Sequence, residues 1–396
     1  MPKYLERPAT RAVLLALERW GGQTMQIMSG PRQVGKSTAS RQIADKWRGP
    51  AHFAVADEAL PPGPEWIAQQ WESARALKKR GVRPLLVLDE VQKVSRWSEV
   101  VKRLWDEEKR SGEPLRVLLL GSSALLVQKG LGESLAGRFL LHRFPHWSFP
   151  EMRDAFAYSF EDWLRFGGYP GAAAFHKKPE IWRAYVRDSL LEPILAKDVL
   201  QMSAVGKPAL LRHLLLAAAA LPAHIVTWEK MLGQLQDAGN TTTLAHYAEL
   251  LEGAYVLSAL QPWRGEKISK RGGSPKFIVW NNAIVSAVAA SHGGDDSGWR
   301  GRLMENAVGG HILNHLPPDW RLFYWREGDA EVDFVLRTPE ALWAIEVKSG
   351  RRRQSMPGMA AFMGKYPKAR PMLIGADGMD MEKFFGSDPV ESFSVR

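Results

Sequence analysis

Met25-Gln26-Ile27-Met28-Ser29-Gly30-Pro31-Arg32-Gln33-Val34-Gly35-Lys36-Ser37-Thr38 is an apolar run that ends in a glycine-rich turn, and it fits G-x-x-x-x-G-K-[S/T] without a mismatch. The pattern reads as a cradle for nucleotide phosphates. Gly30 and Gly35 let the backbone curl so that successive N–H groups, those of Gln33, Val34 and Thr38 among them, face phosphate oxygens at a helix N-terminus, with Pro31, which has no N–H of its own, part of the same loop. Lys36 is placed to reach the β- and γ-phosphates, and the Ser37 hydroxyl to ligate magnesium. The motif lies between an apolar strand and a helical pattern over Thr38 to Trp47, as that chemistry requires.

Outward from this stretch, short apolar runs alternate with amphipathic segments as far as His142. Strands are expected at Gln23–Met28, Ala51–Val55, Pro84–Leu88, Arg116–Leu120 and Arg138–Leu141, which implies a parallel sheet with helices on both faces. Ligands of such sheets bind beyond the carboxyl ends of the strands. There the third run ends in Asp89 and Glu90, two carboxylates that are costly to bury unless they serve an ion or a water. Asp89 is read as holding magnesium and Glu90 as polarising the attacking water. After the fourth run, Ser122 is either a γ-phosphate sensor or a helix N-cap. Arg138 follows Leu135-Ala136-Gly137.

Gly30 to Ser37, Leu88-Asp89-Glu90-Val91-Gln92, Leu135-Ala136-Gly137-Arg138 and Trp147-Ser148-Phe149-Pro150-Glu151 together resemble the prokaryotic AAA-type ATPases fused to an uncharacterised C-terminal region. The resemblance covers essentially the whole chain. It implies ATP and magnesium as cofactors, and a homo-oligomer with a hexameric ring among its forms. It also implies that Arg138 is a finger completing a neighbouring subunit's site.

Past Glu151 the pattern becomes helical, from Pro179 to Val199 and from Pro208 to Leu221. Two helices, Trp228–Leu235 and Thr242–Leu251, then precede two strands, Ala254–Leu260 and Lys276–Trp280, around a basic loop. That is the order of a winged helix. Thr242, Thr243 and His246 near the start of the second helix, with Arg264, Lys267, Lys270, Arg271 and Lys276 on the wing, suit phosphate contacts to DNA. A solvated loop, or a protein contact, remains the alternative. Where the family commonly has an aspartate after the wing strand, this chain has Asn281.

The C-terminal stretch reads helix, three strands, helix, strand. Strand alternation puts Glu346 and Lys348 on one face of their strand. Asp333 on the neighbouring strand and Glu305 on the preceding helix complete a set, Glu305, Asp333, Glu346 and Lys348, that resembles the PD-(D/E)XK nuclease pattern. The carboxylates Glu305, Asp333 and Glu346 suit a hard divalent cation, with Lys348 steadying the attacking water. A half-exposed sheet also alternates charges, and such a fold can keep its motif without cutting.

Length bounds these readings. At 396 residues the chain exceeds one usual core, and three domains are expected, 1–160 AAA-type, 161–285 helical and winged helix, and 286–396 nuclease-like. The fold class is α/β with a P-loop domain, a central helical region and a restriction-endonuclease-like domain. A composition of 45% hydrophobic and 24% charged residues is that of a folded chain. The formal charge of +10 favours an anionic partner and equally suits a merely basic protein. The lack of cysteine excludes disulfides, thiolate zinc sites and a cysteine nucleophile. With no apolar leader and no run long enough to span a bilayer, a cytoplasmic protein is expected. The function so read is an ATP-hydrolysing DNA-binding protein that remodels or translocates DNA, with a Mg-dependent deoxyribonuclease left open. The alternative is a nucleotide-dependent switch or scaffold whose nuclease-like fold is inert.

Overall fold

In the computed structural model the apolar runs around the glycine-rich turn become one five-stranded parallel sheet. The structure describes residues 5–57, 60–79, 81–112, 114–122, 134–199, 205–234, 240–265, 273–289, 297–350 and 356–394. The chain divides into two units, Met1–Pro145 with Ala196–Ala204, and His146–Leu195 with Val205–Arg396.

In the first unit the order is α1 (Pro8–Trp20), β1 (Met25–Gly30), α2 (Lys36–Lys46), β2 (Ala51–Val55), α3 (Pro64–Arg75), β3 (Leu85–Asp89), α4 (Trp97–Arg110), β4 (Arg116–Ser122) and β5 (Phe139–Arg143). The strands lie in the order β2-β3-β4-β1-β5. Every residue of β1 and β3 is buried, the polar Gln26 and Ser29 included, whereas edge strands β2 and β5 are partly exposed. Register pairs Gly30 with Ser122 and Val55 with Asp89, so the functional residues share the carboxyl edge of the sheet.

Several boundaries differ from the sequence reading, with β3 shifted by one residue to end at Asp89 and β4 extended to Ser122. β1 begins at Met25 because the N–H groups of Gln23 and Thr24 close α1 on the Trp20 carbonyl, at 2.8 and 2.9 Å. β5 starts one residue later and runs to Arg143, which pairs with Ser29 of β1. Behind the sheet, α3 and α4 enclose Glu108, which accepts from Lys78 Nζ at 2.8 Å, Leu115 N–H at 3.2 Å and the Arg75 Nε–H. Burial raises this carboxyl's pKa, but Lys78, Arg75 and Leu115 outweigh it and hold the group below its ordinary value.

The second unit holds α5 (Phe149–Phe156), α6 (Phe160–Phe166), α7 (Pro179–Ala184), α8 (Pro208–Ala220), α9 (Trp228–Gln234), α10 (Thr241–Gly253), β6 (Leu257–Leu260), β7 (Lys276–Val279) and α11 (Asn282–Val288). After them come α12 (Ser297–His315), β8 (Arg321–Glu327), β9 (Ala330–Arg337), β10 (Leu342–Lys348), α13 (Pro357–Lys365), β11 (Arg370–Gly375), α14 (Met381–Gly386) and α15 (Pro389–Phe393). β6 starts three residues later than its apolar run suggests. The helix before it continues to Gly253, and Tyr255 turns out of it in a left-handed conformation, φ 57°.

β6 and β7 pair antiparallel, and residues 223–226 add to the far edge of β7 through Ala223 N–H to Phe277 O and Phe277 N–H to His224 O. Where that segment ends, Asn306 of α12 takes over. Its side-chain oxygen accepts from Val279 N–H at 2.9 Å and its nitrogen donates to Val279 O at 2.8 Å. The second sheet has the order β11-β10-β9-β8, antiparallel except for the parallel pair β10 and β11. α13 packs on it with Met359 and Phe362 against Trp325, Val332 and Val335.

Candidate functional site

Gly30 ends β1 because nothing larger fits. A Cβ there would meet the Phe144 carbonyl oxygen at 2.0 Å, so this glycine answers to the β5 chain behind it as well as to the turn. The turn itself is made at Gln33 and Gly35, with φ of 61° and 89°. Gly35 is left-handed at the start of α2, where no side chain caps the helix. Its first-turn amides therefore suit an anion.

Lys36 Nζ donates to the carbonyls of Gly30 and Pro31, both at 2.7 Å, folded over its own loop. Ser37 Oγ donates to Asp89 Oδ2 at 2.6 Å. The two oxygen ligands expected from distant parts of the sequence thus meet, and hydroxyl plus carboxylate suits magnesium. Glu90 follows in a left-handed conformation, φ 55°, its N–H on Asp89 Oδ1 at 2.9 Å and its Oε2 held by Gln92 Nε2 at 2.7 Å. Ser122 ends β4 beside Gly30. A residue that sequence reasoning passed over supports the loop from below. Arg7 is buried, donates to Val34 O at 3.1 Å and Pro145 O at 3.0 Å, and lies over the Phe144 ring at 4.4 Å.

Arg138 forms a two-pronged pair with Asp106 of α4, Nε to Oδ1 at 2.8 Å and Nη2 to Oδ2 at 3.0 Å. The pair holds the Asp106 carboxyl below its ordinary pKa. To act on a neighbour the guanidinium has to leave this partner.

At the start of α10, Asn240 caps the helix, accepting from Thr243 N–H at 2.7 Å and from its hydroxyl at 2.9 Å. Thr242 and His246 are exposed beside a cleft of about 530 Å³ that Thr227, Trp228 and Glu249 also line. Lys267, Lys270 and Arg271 lie outside the described residues, while Arg264 is exposed. Lys276 differs from its sequence reading. It is fully buried, because β7 lies inside the unit with its side chain turned away from solvent.

Its ammonium is the centre of the acidic set. Lys276 Nζ pairs with Glu305, lies 3.3 Å from Glu331 Oε1 and 3.9 Å from Asp333 Oδ1, and donates to Asp333 O at 3.1 Å. Burial would lower this lysine's pKa, but Glu305, Asp333 and Glu331 hold it above its ordinary value. Glu305, Glu331 and Asp333 bring one oxygen each within 4.8 Å of one another. Glu331 was overlooked in the sequence, although it lies two residues from Asp333 on the same strand face. Glu346 shares a side-chain hydrogen bond with Asp333 and pairs with Lys348 at 3.1 Å, while Asp333 Oδ2 accepts from Val347 N–H at 2.8 Å. Burial first, then the Asp333 charge, raise the Glu305 and Glu346 carboxyls to about 7 against the pull of Lys276 and Lys348. With the ammonium among their oxygens, Glu305, Glu331 and Asp333 do not fit a bound divalent cation.

Residues 22–153 match the family model described as AAA domain. The chain carries an N-terminal AAA domain. Residues 157–294 and 300–384 match two domains of unknown function, DUF8612 and DUF4143. Uncharacterized protein Rv2008c of Mycobacterium tuberculosis is 26% identical over 349 residues, 85% of this chain and 72% of its own length. Uncharacterized protein MJ1544 of Methanocaldococcus jannaschii is 23% identical over 277 residues, 63% of this chain and 58% of its own. Among solved structures, the RuvB Holliday junction branch migration motor of Thermotoga maritima is similar over 63% of this chain and 88% of its own, at 15% identity and a TM-score of 0.34. The Orc1 protein of Aeropyrum pernix in complex with DNA is similar over 73% and 94%, at 12% identity and a TM-score of 0.30. No helix among the described residues is long and apolar enough to cross a membrane.

Proposed function

We propose that this chain hydrolyses ATP and couples hydrolysis to remodelling or translocation of DNA as a homo-oligomer. The observation that carries the nucleotide part is the Ser37 Oγ to Asp89 Oδ2 bond at 2.6 Å beside a lysine folded on its own loop. A triphosphate entering the loop offers Lys36 anionic oxygens in place of the Gly30 and Pro31 carbonyls, and charge-assisted bonds are the stronger. Magnesium between Ser37 and Asp89 would withdraw charge from the phosphate oxygens. Glu90, fixed by Gln92, orients and polarises the attacking water. Arg138 completes a neighbour's site once released from Asp106.

The DNA part rests on exposed Thr242 and His246 at the start of α10 and on the formal charge of +10. Hydrolysis measured with and without duplex, forked and four-way DNA tests it, and rates indifferent to all three sink the motor. Phosphate contacts predict that affinity falls roughly tenfold or more over a modest rise in salt. For the finger, mixing Arg138→Ala with Lys36→Ala subunits restores some hydrolysis at mixed interfaces; no recovery counts against it.

Lys276 among the acids of the C-terminal domain favours a second reading for that domain. In it, the nuclease-like fold is inert and the chain is a nucleotide-dependent switch or scaffold. DNA binding that tracks nucleotide state, without stimulation of hydrolysis, distinguishes this reading from the motor.

A further inference from the structure

We propose that Lys276 is the resident cation of the Glu305, Glu331 and Asp333 cluster, occupying the place that these three converging carboxylates would otherwise offer a divalent metal. Three independent features lead there. The first is position. An ion bonded to these carboxylates needs oxygens at about 2.0 to 2.6 Å, and the oxygens that would supply them already surround the ammonium at 3.3 and 3.9 Å, with Glu305 in direct contact. Metal and ammonium would stand in contact, like charge against like.

The second is that the lysine has nowhere else to go. Its side chain is wholly buried, its ammonium lies 5.1 Å from the centre of the Phe334 ring, and its donors reach the Asp333 carbonyl as well as the carboxylates. The third is the backbone beneath it. β7 is bonded on one edge to β6, and on the other to residues 223–226 and to Asn306. The backbone that carries Lys276 is thus held from both edges. The ammonium is a counter-ion that ties the hairpin strand to β9 and α12. The second lysine, Lys348, is committed to Glu346.

The test uses the full chain without nucleotide and follows free Mn²⁺ by its electron paramagnetic resonance signal. The wild type and Asp333→Asn are expected to give the same titration. Lys276→Met is expected to gain one Mn²⁺ per chain, lost again when Asp333→Asn is added. Because Lys276→Met leaves three carboxylates facing one another, Lys276→Gln is a second variant that keeps a polar donor. About 1 mM Mn²⁺ should raise the melting temperature of either Lys276 variant and leave the wild type unmoved. A wild-type Mn²⁺ site that Asp333→Asn removes overturns the proposal. So does a folded Lys276 variant that gains no ion, or wild-type DNA cleavage that Asp333→Asn abolishes. If neither Lys276 variant folds, the wild type against Asp333→Asn decides alone. ATP hydrolysis is read separately, so failure here leaves the nucleotide reading standing.

Discussion

The guanidinium of Arg7 donates to the carbonyl of Val34 at 3.1 Å, from beneath the loop that Gly35 and Lys36 close. The same nitrogen donates to Pro145 O at 3.0 Å, so one buried side chain joins the loop to the chain leaving β5. Arg7→Ala leaves two carbonyls without this donor and costs about 1–3 kcal/mol of stability. With the loop less firmly held, KM for ATP should rise about tenfold, because misplaced contacts cost binding steeply. Melting and steady-state kinetics on one preparation check both. An unchanged KM in a folded Arg7→Ala would show that the loop does not lean on this residue.

Glu90 and Lys36 should separate chemistry from binding. Glu90→Gln keeps the shape but not the charge that polarises water, and turnover should fall about 10²–10⁴-fold with nucleotide affinity little changed. On the proposed reading Lys36→Ala and Ser37→Ala take away the groups that would hold the phosphates and the magnesium, so they should weaken nucleotide binding itself. Equilibrium binding of a fluorescent ATP analogue, beside phosphate release, distinguishes the two patterns.

Glu108 is a stability residue remote from the carboxyl edge of the sheet. Only 1% exposed, it gathers Arg75, Lys78 and the Leu115 amide. Glu108→Ala should cost about 2 kcal/mol, since charged hydrogen bonds are lost while both cations retain some access to water. Denaturant unfolding measures it, and hydrolysis per folded molecule should stay the same.

His311 sets a pH dependence for the second unit. It is buried against His315, Phe384 and Phe385, with Nε2 placed to donate to Ser387 O at 3.2 Å. Burial first, then the neighbouring His315, hold its pKa well below 6.5. The unfolded chain takes up this proton near its ordinary pKa and the folded chain does not. Below that pH the unfolded state binds more protons, so stability falls as pH falls. Between pH 7 and pH 5 the wild type should lose about 2 kcal/mol more than His311→Gln. Parallel unfolding curves for the two proteins at both pH values would refute this.

What the sequence disclosed depended on distance along the chain. Gly30 to Ser37 is contiguous, and Asp89-Glu90 closes an apolar run, so the candidate nucleotide site is legible in its own order of residues. Arg7 gave no signal, because a lone arginine before a helix resembles any surface charge until its partners appear. Lys276 was read with the basic wing, since its neighbours in sequence are basic. Its partners lie at 305, 331 and 333, on elements whose approach only the fold reveals. Glu331 was within reach, because an acid two residues from Asp333 on one strand shares its face.

Asn306 has a consequence for assembly. A strand whose outer N–H and C=O groups are unpaired is a template on which another chain can add itself. By bonding both groups of Val279, one amide side chain finishes the row that residues 223–226 begin. β7 thus offers no vacancy to a passing strand at that residue, and partners that meet this unit must recognise side chains rather than extend its sheet there.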